Sequence, residues 1–211
     1  MHLIPGDIYH IYNRGNRKAK IFFSDANYLY FLHKIRTHLK PICDIIAYSL
    51  MPNHFHFIIH ANELSSNTRR GFGQKDIQEF SFQLGVVLTS YAHAINKQNK
   101  STGSLFQQKT KSILICSTMD GKILERSENY FIDCIHYVHQ NAWKAGIVKS
   151  MEDWPYSSFL DYCGLRYGTL CNIELFSSLT GYDLSKFYQE SCIPLKEQRL
   201  LRHIKYIERF T

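Results

Sequence analysis

Two short runs fix the centre of any fold this chain can adopt: CDIIAYSL at residues 43–50 and HFHFIIHA at 54–61, separated only by Met51, Pro52 and Asn53. Both are rich in β-branched and aromatic residues and have strand length, and a three-residue link with a proline is a turn, so the pair reads as an antiparallel hairpin. Side chains alternate along the second run. Phe55, Phe57 and Ile59 share one face, which must be core, while His54, His56, Ile58 and His60 share the other. His54 and His56 then lie about 6 to 7 Å apart along the strand, a spacing from which two imidazoles can converge on one cation. Two ordinary strand histidines satisfy the same pattern.

The segments around the hairpin supply the remaining layers. IYHIYNRG (8–15) reads as a strand stopped by a glycine, and Ser24 as the N-cap of a helix carrying Tyr28, Phe31, Leu32, Ile35 and Leu39 up to Pro41. Residues 62–76, NELSSNTRRGFGQKD, have no sustained periodicity and predict a mobile loop. A helix follows over about 77–97, burying Phe80, Leu84, Val87, Leu88 and Tyr91, then a strand over LFQQKTKSILIC (105–116) and a helix over 128–146 closed by Gly146. The order β-α-β-β-α-β-α defines an α+β sandwich, with helices packed on an antiparallel sheet.

Beyond residue 150 the pattern shortens to small helical pieces, so the chain divides into a core over 1–150 and a helical C-terminal extension over 151–211. The last stretch, 196–210, sets Leu200, Leu201, Ile204, Ile207 and Phe210 against Lys196, Arg199, Arg202, Lys205 and Arg209. That is a basic amphipathic helix, read as a packed helix with a solvated face.

A chain of 211 residues can bury one good core. No stretch approaches the roughly 18 apolar residues of a membrane span, and the start MHLIPGDIYH lacks the regions of a signal peptide, so no membrane association and a cytoplasmic location are expected. Six scattered cysteines without a C-x-x-C read as buried thiols. A formal charge of +7 and a pI near 9.0 raise the prior for a polyanionic partner.

The helix near residue 137 adds the second half of a site. Phe131, Ile135, Val138 and Ala142 form the stripe that packs on the sheet, and Tyr130, Cys134, Tyr137 and Asn141 form the neighbouring stripe. Tyr137 and Asn141 are one turn apart, so a phenol and an amide carbonyl are offered together. A half-buried tyrosine beside an exposed asparagine fits the same spacing.

The run MPNHFHFIIH, followed by GSLFQQKTKS and YVHQNAWKAGIV, resembles the single-tyrosine transposases of the HUH superfamily (histidine, hydrophobic residue, histidine), in particular the REP-associated tyrosine transposases. YHIYNRGNRK and DWPYSSFLDYCG extend the resemblance over roughly residues 5 to 165. It implies a ferredoxin-like sheet and a metal-dependent enzyme that nicks and joins single-stranded DNA through a 5′-phosphotyrosine during transposition or recombination. Carried onto this sequence, it puts His54 and His56 at the two histidine metal ligands, Tyr137 at the nucleophile and Asn141 at a third ligand. Many relatives have proline after that asparagine; here Ala142 follows. Tyr130 is the competing nucleophile, but the residue one turn on is then Cys134, a poor ligand for a hard ion.

Two imidazoles and one amide oxygen suit Mg²⁺ or Mn²⁺. The implied partner is single-stranded DNA with a hairpin, and a homodimer is one assembly open to the chain. Arg14, Arg17, Lys18, Lys20, Arg69, Arg70, Lys75, Lys109 and Lys111, near strand ends or in the 62–76 loop, are expected to neutralise phosphates. His10, His60, His136 and His139 read as structural or surface histidines. The alternative from another class is a domesticated DNA-binding regulator with the same fold and no activity.

Overall fold

The computed structural model describes residues 1–71, 75–124 and 127–195. Its elements, in chain order, are β1 (Asp7–Arg14), α1 (Asp25–His38), β2 (Cys43–Met51), β3 (His54–Ala61), α2 (Glu63–Ser66), β4 (Thr68–Arg70), β5 (Asp76–Gln78), α3 (Glu79–Gln98), β6 (Lys111–Met119), β7 (Lys122–Ile123), α4 (Glu128–Lys144), α5 (Phe159–Tyr162), α6 (Ile173–Thr180) and α7 (Phe187–Ser191). The expected basic helix over 196–210 lies outside the described residues. Among those described, no helix is long and apolar enough to cross a membrane.

The main sheet has the order β2-β3-β1-β6-β7, and its neighbouring strands run antiparallel. Placing β3 between β1 and β2, and β6 on the far side of β1, is the split β-α-β arrangement of a ferredoxin-like sheet. The hairpin of β2 and β3 forms where the sequence puts it.

One face of the sheet presents Tyr9, Ile11, Phe55, Phe57 and Ile59 to α1 and α3. Phe31 of α1 is fully buried there among Phe55, Phe57, Tyr91 and Phe106, and truncating such a ring costs about 3–5 kcal/mol. The opposite face carries Ile8, Ile58, Ile115 and Cys116 against Phe131, Cys134, Ile135 and Val138 of α4. Two register shifts serve this second core. An extra residue in β2 puts Ile46 and Ala47 together on the α4 side, and one in β6 does the same for Ile115 and Cys116.

Residues 151–195 join that second core: Met151, Phe159, Tyr162, Phe176, Leu179 and Phe187 are buried in it. The stretch before α5 also runs along the open edge of β2. Leu50 N–H donates to the Tyr156 carbonyl, Ser158 N–H to the Tyr48 carbonyl, and the Tyr156 ring stacks on Tyr28 at 3.8 Å. The DWPYSS motif is thus an edge cover, sparing β2 a row of unpaired backbone groups.

Two expectations change. Residues 62–71 and 75–76 are not a structureless loop. Asn62 caps α2 by accepting the Ser65 N–H, and Arg69 and Arg70 sit on a small β4–β5 ribbon. The last long strand starts at Lys111 rather than Leu105. Ahead of it, the Asn13 side-chain amide donates to the Gln107 carbonyl and the Thr110 hydroxyl, bending the chain around the end of β1.

Candidate active site

The register of β1 against β3 assembles the site. Opposite pairs are Ile8 with His60, His10 with Ile58, Tyr12 with His56 and Arg14 with His54, so these eight side chains share the face covered by α4. The imidazoles of His54 and His56 stand perpendicular, 4.9 Å between centroids. Above them the Tyr137 ring approaches edge-on, 6.0 Å from His56 and 6.2 Å from His10. Strand alternation and one helical stripe bring these groups together.

Each histidine of the pair has its Nδ1 engaged. His54 Nδ1 lies 2.6 Å from Asn53 Oδ1, and Asn53 Nδ2 donates to the Lys18 carbonyl, which fixes the amide with its oxygen toward the imidazole. His54 therefore carries its proton on Nδ1 and keeps the Nε2 lone pair. His56 Nδ1 lies 2.8 Å from His10 Nε2, with both rings buried. Burial, reinforced by the nearby Arg14 charge, pushes His54 down to about 4 and holds it neutral, the form in which imidazole ligates metal. Desolvation likewise lowers Arg14, a partly buried guanidinium beside the histidine pair.

Asn141, half-buried one turn beyond Tyr137, uses its Nδ2 to donate to the Tyr137 carbonyl at 3.0 Å and the Val138 carbonyl at 3.3 Å. Its Oδ1 is the remaining donor atom. The Tyr137 ring of α4 meets His10 and His56, and Asn141 follows one turn, about 6 Å, further along the helix axis. Among the described residues, no group of three or more histidine, cysteine or acidic side chains could hold a metal ion. Asn141 carries a side-chain amide oxygen on the stripe of Tyr137.

Seven of the basic residues expected on DNA separate into two groups. Arg14, Arg17, Lys18, Lys109 and Lys111 gather at the His54 end, where Gln107 N–H donates to the Arg14 carbonyl and Asn16 N–H to the Leu105 carbonyl. Arg17 and Lys18 sit there at φ 52° and 63°, a left-handed pair in non-glycine residues, which the backbone holds at a cost. Beside them Gly15 packs so closely that a Cβ would run into the Ala19 carbonyl oxygen. Arg69 and Arg70 follow Ala61 in the chain, and Ala61 closes the opposite end of β3, roughly 23 Å from His54 along the strand. Arg69 is committed locally, 3.2 Å from Glu79 and over the Phe82 ring at 3.9 Å.

The other histidines part company. His10, read from sequence as structural or surface, is fully buried and packs against both His56 and Tyr137. Its position on β1 two residues before Tyr12 was visible, but only the register reveals which face it shares. His60 sits at the far end, paired with Asp44 at 3.5 Å. His136 and His139 are buried on the side of α4 turned to the C-terminal helices, bonded to Ser191 and Ser158 respectively. All six cysteines are free thiols; Cys43, Cys116 and Cys134 are buried, whereas Cys192 is exposed.

The five-stranded antiparallel sheet and the helices packed on it match the fold of a tyrosine transposase of known structure. The particular likeness is to the REP-associated tyrosine transposases, met in sequence and in fold alike. An assigned REP-associated tyrosine transposase of Haemophilus influenzae is 21% identical over 134 residues, covering 61% of this chain and 69% of that protein. A solved structure of a REP-associated tyrosine transposase bound to a REP hairpin superposes with a TM-score of 0.57 at 20% identity, covering 79% of this chain and 86% of that one. No family model matches the chain.

Proposed function

We propose that this chain is a transposase-type enzyme that cuts and rejoins single-stranded DNA carrying a hairpin, with Tyr137 as nucleophile. The observation that carries the reading is the Tyr137 ring standing over His56, with Asn141 one turn further along the helix and Arg14 and Lys111 in register with His54 and Tyr12 on the neighbouring strands. In the forward step the deprotonated Tyr137 oxygen attacks the scissile phosphorus. The bond from phosphorus to the 3′ oxygen breaks, that oxygen takes up a proton, and the downstream 5′ phosphate stays on the tyrosine. Reversal by another 3′ hydroxyl frees Tyr137, and the phosphodiester energy is kept throughout, so no nucleotide cofactor is needed.

His54 Nε2, His56 Nε2 and Asn141 Oδ1 would hold a divalent ion, Mg²⁺ or Mn²⁺; the engaged Nδ1 of His54 leaves its Nε2 lone pair for that role, and the engaged Nδ1 of His56 does so when it is the donor to His10. When bound, such an ion supplies Lewis-acid stabilisation of the phosphate charge. Burial keeps His54 neutral, Arg14 offers a charge to a non-bridging phosphate oxygen, and the α4 scaffold fixes the attacking oxygen.

The test is adduct formation. A hairpin-bearing single strand labelled on its 3′ side, incubated with the protein and Mg²⁺ or Mn²⁺, should give a covalent species on a denaturing gel. If the wild-type chain bound the hairpin and formed no adduct with either ion, the regulator reading would replace this one.

A further inference from the structure

His10 is fully buried, and an imidazole in that position must satisfy its ring nitrogens or pay for desolvating them. Directly across β3 from it is Ile58, so the side chain reaches diagonally to place Nε2 at 2.8 Å from His56 Nδ1. The same ring lies 5.2 Å from Tyr12 and meets Tyr137 edge-on at 6.2 Å.

When both rings are neutral, the 2.8 Å imidazole pair shares one proton in one of two ways. If His10 donates, His56 carries its own proton on Nε2 and has no lone pair there to offer. If His56 Nδ1–H donates, its Nε2 carries the lone pair and His10 accepts. Only the second arrangement suits a ligand, and it matches the one Asn53 imposes on His54.

We propose that His10 is a positioning residue, whose Nε2 accepts the His56 Nδ1–H and so holds His56 in the tautomer and ring orientation that present Nε2 to a divalent cation. The inference rests on the metal reading of the histidine pair given above. It adds a residue from β1 to a metal site whose ligands come from β3 and α4. A leucine would fill the same volume at lower desolvation cost, so packing alone does not account for a buried histidine here.

The test is Mn²⁺ binding to the full chain without DNA, followed by the electron paramagnetic resonance of free Mn²⁺, for wild type, His56→Ala, His10→Leu and His10→Gln. Loss of an outer-sphere partner of this kind weakens metal binding about 10- to 100-fold, which is the effect expected of His10→Leu. His10→Gln, whose amide oxygen can accept the same proton, should bind within a few-fold of wild type. A folded His10→Leu chain with wild-type affinity, or a Gln variant as weak as the Leu variant, overturns the proposal. If wild type fails to bind Mn²⁺, or binds it unchanged in His56→Ala, the metal reading itself fails, a result distinct from the other two. Should His10→Leu not fold, long-range proton–nitrogen correlation of the wild-type histidines decides: a His56 proton on Nδ1 supports the assignment, and one on Nε2 overturns it.

Discussion

The Tyr137 ring meets the His56 ring edge-on at 80° and 6.0 Å, so the Tyr137 phenol and the histidine pair are carried by two elements packed in one core. Tyr130, the other tyrosine on that stripe, stands seven residues earlier, roughly 10 Å back along the helix axis. Tyr137→Phe should abolish the covalent adduct and leave hairpin binding and thermal midpoint near wild type. Tyr130→Phe should form the adduct at a rate within a few-fold of wild type. An adduct formed by the Tyr137→Phe chain, read on the same denaturing gel, would give the nucleophile's role to another residue.

Asn141 anchors its amide nitrogen on carbonyls of its own helix, which aims Oδ1 rather than Nδ2 outward. Asn141→Ala should therefore weaken Mn²⁺ affinity by at least about tenfold, the lower end of what even outer-sphere partners cost. Those carbonyls already belong to a helix, so stability should change by less than about 1 kcal/mol. Isothermal titration with Mn²⁺ and urea unfolding of the same preparation separate the two effects. Unchanged affinity would leave the ion with the two histidines alone.

Much of this was legible in the residues. The alternation of HFHFIIH fixed two faces, and the i, i+4 spacing put Tyr137 beside Asn141, because both periods follow from local backbone geometry. What lay beyond reach depended on register and on side-chain reach between strands. His10 joins the site only because β1 pairs with β3 so that Tyr12 faces His56, a long-range fact with no local signature. The ribbon over Arg69 and Arg70 was hidden for a different reason: three-residue strands are too short to show a period.

The division of the basic residues makes a prediction about salt. Each phosphate contact on a single strand contributes about 0.7 to the slope of log affinity against log salt. Arg14→Gln and Arg17→Gln should each weaken hairpin binding and flatten that slope by about this amount, measured by fluorescence anisotropy across a KCl series. Arg69→Ala should leave the slope alone and instead cost about 0.5–1 kcal/mol of stability, through its contacts with Glu79 and Phe82. A flattened slope in Arg69→Ala would extend the DNA track to the far end of the sheet.

His136 makes the stability of the chain fall in acid. Its ring is buried, stacked on Phe187 at 4.8 Å and bonded to Ser191, and burial pushes it down to about 4, partly opposed by Glu190. In the unfolded chain it titrates near 6.5. Above that pH both states hold it neutral and its contribution is fully present. Between 6.5 and about 4 the unfolded chain takes up a proton that the folded one refuses, and stability drops by about 3 kcal/mol from this residue before levelling off. His54 and His139 shift in the same direction, so the wild-type profile sums several such groups. His136→Gln, which can keep a hydrogen bond to Ser191, isolates one of them. Urea unfolding from pH 7 to pH 4.5 should show a shallower decline in that variant by close to one proton. A slope identical to wild type would mean that His136 is protonated in the folded chain, and that its bond to Ser191 is not made by a neutral ring.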